Sequence, residues 1–264
     1  MKYKFGFIGC GNMGGALIKA VSKAVDASLI AVCDKDKNKA NAFAFELGVN
    51  AVDVQTLAKQ SEYVVLGVKP QVVENAISEI SSALAENESV TIISMCAGVT
   101  SELIKKLTKT SSCIRIMPNT PASVGEGIIL YAPNGTTQKS EEEFKKYFSS
   151  AGLVVKIDEE KMDKHTAITG CGPAFVYMFI DAMKKSAVSI GVDEADAEKF
   201  CAQTVLGSAK MVLSYGNADQ LKINVCSPGG STIEGVKSLE KDDLYSVVDR
   251  AVQASKKRTE EMKK

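Results

Sequence analysis

The 264-residue sequence has little arginine, a single histidine and no cluster of cysteines. Its 32 basic residues are balanced by 32 acidic ones, and only Arg115, Arg250 and Arg258 are arginines. Proteins that bind nucleic acid need a basic stripe for the phosphates, so this composition argues against nucleic acid as a main partner. The seven cysteines, at positions 10, 33, 96, 113, 171, 201 and 226, form no CxxC or Cys/His pattern. We therefore expect no metal site, and reduced thiols packed in the core or near a site of a cytoplasmic protein.

Two other features are missing. The first residues run straight into a strand-like segment, with no apolar stretch and cleavage site, so we expect no signal peptide. No unbroken run approaches the roughly 18 apolar residues of a membrane span, so we expect no membrane partner. His165 has no second histidine beside it for a metal, and a lone helical histidine is more often structural than catalytic.

What the sequence does contain is a regular alternation of apolar runs and helical periods in its first 158 residues. Continuous Val/Ile-rich runs between helices predict a mostly parallel sheet covered on both faces. The predicted strands are 3–9, 29–33, 63–68, 90–95, 114–117, 127–131 and 153–157. The predicted helices between them run to about 24, then over 36–47, 72–85 and 140–149, with Gly48 ending the second.

The character changes after residue 158, where strand-like runs give way to long helical periods. The predicted helices are 160–190, 193–214, 217–225, 232–239 and 242–262, and Pro173 should kink or split the first. We therefore predict two domains, 1–158 and 159–264, the second all-helical. Residues 174–180 are apolar almost all round, and so small a domain has little interior. This favours burial against a second subunit.

The segment Gly9-Cys10-Gly11-Asn12-Met13-Gly14 is a G-x-G-x-x-G directly after the first strand. In such a turn the first glycine permits the tight bend, the second lets the backbone approach a pyrophosphate, and the third lets helix and strand pack closely. Asp34 follows at the end of the second strand, where an acid hydrogen-bonds a ribose 2′-OH and favours NAD. Lys35, Lys37 and Lys39 could instead neutralise a 2′-phosphate, so NADH and NADPH both remain open.

Further turns follow the carboxyl ends of the predicted strands, where ligands bind in an open α/β sheet. They contain Gly67-Val68-Lys69-Pro70, Cys96-Ala97-Gly98 and Met117-Pro118-Asn119-Thr120-Pro121. Lys69 either points toward a cofactor or is a surface lysine. A second patch of small residues, Thr166, Thr169 and 170–173, is either a close helix contact or a ligand site.

The segment Ser227-Pro228-Gly229-Gly230-Ser231-Thr232 precedes a predicted helix. Two glycines and two hydroxyls at a helix start leave backbone N–H groups free for a small anion. If the first motif holds a cofactor, this loop suits the acid end of a substrate.

Together these motifs resemble the pyrroline-5-carboxylate reductase family over almost the whole chain. The resemblance rests on F-I-G-x-G-x-M-G, V-K-P, C-A-G, M-P-N-T-P, G-x-G-P-A and S-P-G-G-S-T-I-x-G-x-x-x-L-E at 227–240. It implies an α/β Rossmann domain followed by an all-α dimerisation domain, in interlocked dimers that often form a decamer. It implies hydride transfer from NADPH, or alternatively NADH, to the C=N bond of 1-pyrroline-5-carboxylate, giving L-proline.

The resemblance also implies site residues. The cofactor set is Ile8, Gly9, Cys10, Gly11, Asn12, Met13, Asp34, Lys35, Val68, Lys69, Pro70, Cys96, Ala97, Gly98 and Asn224. The substrate set is Gly230, Ser231, Thr232 and Glu159, with the Thr232 hydroxyl as first choice to contact the imine nitrogen and no metal. The chain departs from the family at 213–220, which is one residue shorter and lacks the usual acid and His-Pro. That departure puts in doubt any role of an acid in this turn.

Three other functions share part of this pattern. A β-hydroxyacid dehydrogenase would carry a lysine where this chain has Val176, which counts against alcohol oxidation. A related imine reductase would differ in the carboxylate-binding loop. A non-catalytic NAD(P)-binding protein would bind NADPH without oxidising it when the imine is added.

Overall fold

The computed structural model describes residues 2–261, and its first part is built on one eight-stranded sheet. The spatial order is β3-β2-β1-β4-β5-β6-β7-β8, and every neighbouring pair is parallel except β6 and β7. The strands are β1 Tyr3–Ile8, β2 Ile30–Cys33, β3 Asn50–Ala51, β4 Ser61–Leu66, β5 Thr91–Ser94, β6 Ser112–Pro118, β7 Gly127–Asn134 and β8 Gly152–Lys156. The predicted mostly parallel sheet is confirmed.

Helices connect the strands and then fill the second part of the chain. Those of the first part are α1 Asn12–Val21, α2 Lys37–Leu47, α3 Val54–Gln60, α4 Val73–Ala85, α5 Ser101–Thr108, α6 Gln138–Phe148 and α7 Met162–Thr169. Those that follow are α8 Gly172–Ser189, α9 Glu194–Tyr215, α10 Ala218–Asn224, α11 Ser231–Lys241 and α12 Leu244–Glu261. The predicted split at Pro173 is confirmed. Helix α7 ends at Thr169, and α8 begins at Gly172 with Pro173 in its first turn.

The core lies on both faces of the sheet, which explains why the strands are continuous apolar runs. In β4, Tyr63 and Val65 point into one cluster, and Val64 and Leu66 into the other. All four are at most 1% exposed. Each such side chain contributes about 1.5–3 kcal/mol of transfer free energy relative to exposure. The sheet is therefore a rigid frame for the loops at its carboxyl edge.

Three short elements were not predicted from the sequence: β3, α3 and α5. β3 has two residues, too few for a period. The two helices depend on their caps: the side chain of Asp53 accepts from the N–H of Thr56, and that of Thr100 accepts from the N–H of Leu103. The other predicted elements appear with their ends shifted by a few residues.

The chain forms two compact units, of which one runs to Gly170 and includes the residues from Lys256, and the other is Cys171–Ser255. Within the second unit, only Ala197 and Cys201 are buried. Large apolar side chains of this unit stand in solvent, among them Met178 at 76% and Leu213 at 82% exposure. This surface is larger than scattered apolar residues on a monomer would give.

One helical run, Glu159–Ser189, is long and apolar enough to cross a membrane by length and composition alone. The 18-residue window that meets this criterion has a mean hydropathy of 1.2, and 6% of that window is buried. The helical run as a whole is not an unbroken apolar stretch, since α8 contains Asp181, Lys184 and Lys185. A single helix of this kind is weak evidence for a span.

Candidate active site

The glycine-rich turn between β1 and α1 is shaped by two close backbone contacts. Gly9 has a φ of 104°, and a Cβ on it would lie 2.6 Å from the carbonyl oxygen of Gly67. A Cβ on Gly14 would lie 2.1 Å from the carbonyl oxygen of Gly9. A Cβ on Gly11 would meet no atom within 4 Å. Two of the glycines are therefore needed for packing, and the third borders open space.

The same turn leaves a helix N-terminus free for an anion. Gly11 is the N-cap of α1, and no side chain caps its first N–H groups. Unpaired N–H groups and the helix dipole both favour a phosphate at this position. The open space at Gly11 and this uncapped end fit the pyrophosphate of a dinucleotide.

Asp34 closes the turn from the side of β2. Its Oδ2 accepts a hydrogen bond from the Cys10 N–H at 2.7 Å, and its Oδ1 accepts from the Asp36 N–H at 2.9 Å. The Gly9 N–H donates to the Cys33 carbonyl at 2.8 Å. The motif and the end of β2 are therefore one hydrogen-bonded assembly.

A cavity of about 710 Å³ opens at the carboxyl ends of β1, β2 and β4. This volume is in the range of small-molecule and cofactor sites. Of the predicted cofactor residues, it is lined by Ile8, Gly9, Gly11, Asp34, Lys35, Val68 and Lys69. Lys69 lines the cavity and is also exposed, so both alternatives for this lysine remain open.

Part of the cavity wall was missed by sequence reasoning. Asp53 and Val54, at the start of α3, and Val72, Ala76 and Glu79, beside or in α4, also line it. Since α3 was not predicted, nothing in the sequence signalled that its N-terminus borders the site. The apolar period of α4 was visible, but not which of its faces meets the cavity.

The other predicted cofactor residues of this unit do not line the cavity. Asn12 is exposed and Met13 half-buried in the first turn of α1, and Pro70 begins a short 3-10 helix. Burial, followed by the charge of Asp34, raises the pKa of the Cys10 thiol to about 12. Burial also raises the pKa of the Cys96 thiol, whose Sγ donates to the Val68 carbonyl at 3.4 Å. Both thiols are neutral packing groups rather than nucleophiles.

Glu159, predicted near the substrate, is bonded to protein donors. Its Oε1 accepts from the Ser101 N–H at 2.8 Å and from Arg115 Nη1 at 3.2 Å, and its Oε2 accepts from the Ser101 hydroxyl. Arg115 is 3% exposed and also pairs with Asp163 at 3.1 Å. Sequence reasoning assigned no role to Arg115, Ser101 or Asp163.

The two hydroxyls of the small-residue patch around Thr166 bond to carbonyls of their own helix, α7. The Thr166 hydroxyl donates to the Met162 carbonyl at 2.8 Å and the Thr169 hydroxyl to that of His165 at 3.2 Å. Asn119 Nδ2 donates to the Thr169 carbonyl at 2.9 Å. His165 itself is exposed. Across residues 2–261, no group of three or more His, Cys, Asp and Glu could hold a metal ion.

The predicted substrate loop lies in the second unit. Gly229 has a φ of 71°, and the Gly230 N–H donates to the Ser227 carbonyl at 3.0 Å, which folds the loop back. Gly230 is the N-cap of α11, and no side chain caps that helix start. Ser231 and Thr232 are exposed in its first turn, so their N–H and hydroxyl groups are free to meet an anion. Asn224 ends α10, and its Oδ1 accepts from Gln220 at 2.9 Å.

Comparison with known proteins agrees over the whole chain. Residues 159–262 match the family model for pyrroline-5-carboxylate reductase dimerisation, and residues 4–98 match that for NADP oxidoreductase, coenzyme F420-dependent. The chain is 37% identical to the pyrroline-5-carboxylate reductase of Escherichia coli, with both covered in full. It superposes on the Plasmodium falciparum pyrroline carboxylate reductase with NADP bound, with a TM-score of 0.87 and 31% identity over all of both chains. For the pyrroline-5-carboxylate reductase of Coxiella burnetii, the TM-score is 0.89 and the identity 30%, again over all of both chains. The chain therefore belongs to the pyrroline-5-carboxylate reductase family.

Proposed function

We propose that this chain reduces 1-pyrroline-5-carboxylate to L-proline with NAD(P)H, the final step of proline biosynthesis. One observation carries the proposal: two helices, α1 and α11, begin at glycine N-caps without a side-chain cap. The first suits the pyrophosphate of a dinucleotide, and the second suits a small carboxylate. The full-length identity to reductases named for this substrate supports the same reaction.

The reaction requires positioning more than reactive side chains. The bound nicotinamide supplies a hydride to the imine carbon, while the ring nitrogen takes a proton. The residues must therefore hold the ring against the cofactor, exclude water and support the protonated nitrogen. The neutral thiols of Cys10 and Cys96 agree with a reaction that needs no nucleophile.

For the cofactor, we propose the residues of the turn, the cavity and the neighbouring strand ends. They are Ile8, Gly9, Cys10, Gly11, Asn12, Met13, Asp34, Lys35, Val68, Lys69, Pro70, Cys96, Ala97, Gly98 and, from the second unit, Asn224. The open space at Gly11 and the cavity lined by Asp34 and Lys69 support this set.

For the substrate, we propose that the N–H groups of Ser231 and Thr232 bind the carboxylate at the helix start opened by Gly230, whose own N–H donates to the Ser227 carbonyl. The Thr232 hydroxyl would hydrogen-bond the ring nitrogen, which makes it the catalytic residue of the proposal. The family resemblance also puts Glu159 near the substrate, and its carboxylate is bonded to Ser101 and Arg115.

For the assembly, we propose a Rossmann domain of residues 1–158 and a dimerisation and substrate domain of residues 159–264. The match to the dimerisation model from residue 159 supports this boundary. The exposed apolar side chains of Cys171–Ser255 support a homodimer, which could associate further to a decamer. We propose a cytoplasmic location with neither membrane nor nucleic acid as partner.

The decisive experiment measures NADPH and NADH oxidation with and without 1-pyrroline-5-carboxylate, and proline as the product. We expect oxidation that depends on the imine and forms one proline per nucleotide oxidised. Turnover of cyclic imines without a carboxylate at equal efficiency would indicate an imine reductase. Nucleotide binding without turnover, at high enzyme and substrate concentration, would indicate a non-catalytic binding protein.

A further inference from the structure

Glu159 is engaged by three donors from its own compact unit. Its Oε1 accepts from the Ser101 N–H and from Arg115 Nη1, at 2.8 and 3.2 Å, and its Oε2 accepts from the Ser101 hydroxyl. Both oxygens of the carboxylate therefore have protein partners. A carboxylate held in this way acts as an N-terminal cap of α5 and as the counter-ion of a buried arginine.

The partners of Glu159 are buried and have other partners of their own. Arg115 is 3% exposed, and its Nη2 lies 3.1 Å from Asp163 Oδ1. Ser101 is fully buried, and its hydroxyl also accepts from Asn134 Nδ2 at 2.9 Å. Removing one member of such a network leaves buried polar groups unpaired, so its geometry is strongly determined.

Ser101 is the first residue of α5, and the loop before it is Cys96–Thr100. The two ends of this loop are held separately. At its start, Cys96 Sγ donates to the Val68 carbonyl at 3.4 Å, and the Val99 N–H turns back to the Cys96 carbonyl at 3.2 Å. At its end, Glu159 holds the backbone and the hydroxyl of Ser101.

We infer that Glu159 is a positioning residue for the loop Cys96–Thr100, acting through Ser101 on the cofactor rather than by contact with the substrate. The inference rests on the proposed function, which assigns Cys96, Ala97 and Gly98 to the cofactor, and it places this loop beside the nicotinamide half. A loop fixed at both ends presents its backbone to the ring without an ordering cost on binding. Glu159 then serves hydride transfer by keeping the nicotinamide in place.

The test compares Glu159→Gln and Ser101→Ala with wild type. Glu160→Gln is the matched control, because Glu160 is the adjacent carboxylate and is exposed. The dissociation constant of NAD(P)H is measured from nucleotide fluorescence without substrate, and KM for both ligands and Tm are measured alongside. We expect Glu159→Gln to raise the NAD(P)H dissociation constant about fivefold, and Ser101→Ala about twofold, the range of indirect coupling. KM for the imine should change in neither variant, and Glu160→Gln should match wild type.

Two results would overturn the inference. A raised KM for the imine with unchanged NAD(P)H affinity would make Glu159 a substrate contact. A lower Tm, with the NAD(P)H dissociation constant and KM for the imine both unchanged, would mean that the network only stabilises the fold. If Glu159→Gln does not fold, Ser101→Ala decides the question by the same comparison, because it removes only the hydroxyl's bonds to Glu159 and Asn134 and keeps the backbone bond to Glu159. If the wild type binds NAD(P)H without turnover, the proposed function fails. The NAD(P)H dissociation constants of the variants still decide the role of Glu159 in that case.

Discussion

The carboxylate of Asp34 accepts a hydrogen bond from the backbone N–H of Cys10, with 2.7 Å between Oδ2 and N. Its other oxygen accepts from the Asp36 N–H at 2.9 Å. Asp34 therefore cannot turn away from the cavity that it lines together with Gly11 and Lys35. A negative charge fixed at the end of β2 accepts from a ribose 2′-OH and repels a 2′-phosphate.

Replacing Asp34 with serine should shift the cofactor preference toward NADPH. The change removes the repulsion, and Lys35 and Lys37, which also line the cavity, can then attract the phosphate. We expect the ratio of kcat/KM for NADPH to that for NADH to rise about tenfold. The ratio is the proper measure, because losing the bond to Cys10 should weaken both cofactors alike.

Asp36→Ser is the control for this change, since Asp36 is exposed and its Oδ1 accepts only from the Asn38 N–H. Its cofactor ratio should equal that of wild type. If Asp34→Ser leaves the ratio unchanged, Asp34 only holds the turn and the lysines decide the preference.

The bond from Cys10 to Asp34 also marks the limit of prediction from sequence. The G-x-G-x-x-G and the acid after β2 were visible as a pattern, because each has a fixed place in a βαβ unit. That the acid would hold the backbone of the turn was not visible, because the bond joins residues 24 positions apart.

Strands and long helices were predictable from the sequence. The side chains that they bury recur along the chain with the period of the element, so the apolar pattern reveals both the element and its buried face. The cavity wall was not predictable, because α3 is only seven residues long and depends on its Asp53 cap. Similarly, the bonds of Glu159 to Ser101 and Arg115 span 58 and 44 positions. The family resemblance implies that Glu159 lies near the substrate, but its partners meet it only in the folded chain.

Substituting alanine for Gly11 should separate cofactor binding from folding. A Cβ at Gly11 meets no protein atom within 4 Å, and its φ of −72° suits any residue. The apoprotein should lose at most about 1 kcal/mol of unfolding free energy, from the weaker N-cap. The NAD(P)H dissociation constant should rise about tenfold, because the methyl group occupies the space where a pyrophosphate approaches the backbone. Denaturant unfolding and nucleotide fluorescence measure the two quantities.

Gly14→Ala is the contrasting variant, since its Cβ would lie 2.1 Å from the Gly9 carbonyl oxygen. We expect it to lower both stability and cofactor affinity. Unchanged NAD(P)H affinity in Gly11→Ala would mean that the pyrophosphate does not approach this turn.

Thr232→Ala should lower turnover while leaving NAD(P)H affinity near that of wild type. Thr232 lies in the first turn of α11, exposed and beside the uncapped N-terminus. Loss of one hydrogen bond to a protonated nitrogen should lower kcat about tenfold or more. Ser238→Ala, exposed later on the same helix, is the control and should keep the wild-type kcat. Weakened NAD(P)H binding with normal turnover would refute the assigned role.

The exposed apolar surface of Cys171–Ser255 predicts that the protein is at least a dimer in solution. With only Ala197 and Cys201 buried in this unit, its own interior cannot offset the cost of ordering so many residues. Light scattering at micromolar concentration should therefore give at least twice the chain mass of 28.1 kDa. Met178→Glu, at a side chain 76% exposed, should reduce that mass or lower Tm, because a charge would be buried at the interface. Ser78→Glu, at an exposed position of α4, is the control with the same charge change and should assemble normally. A wild-type protein that is monomeric at this concentration would show that the apolar helices are not an interface between copies of the chain.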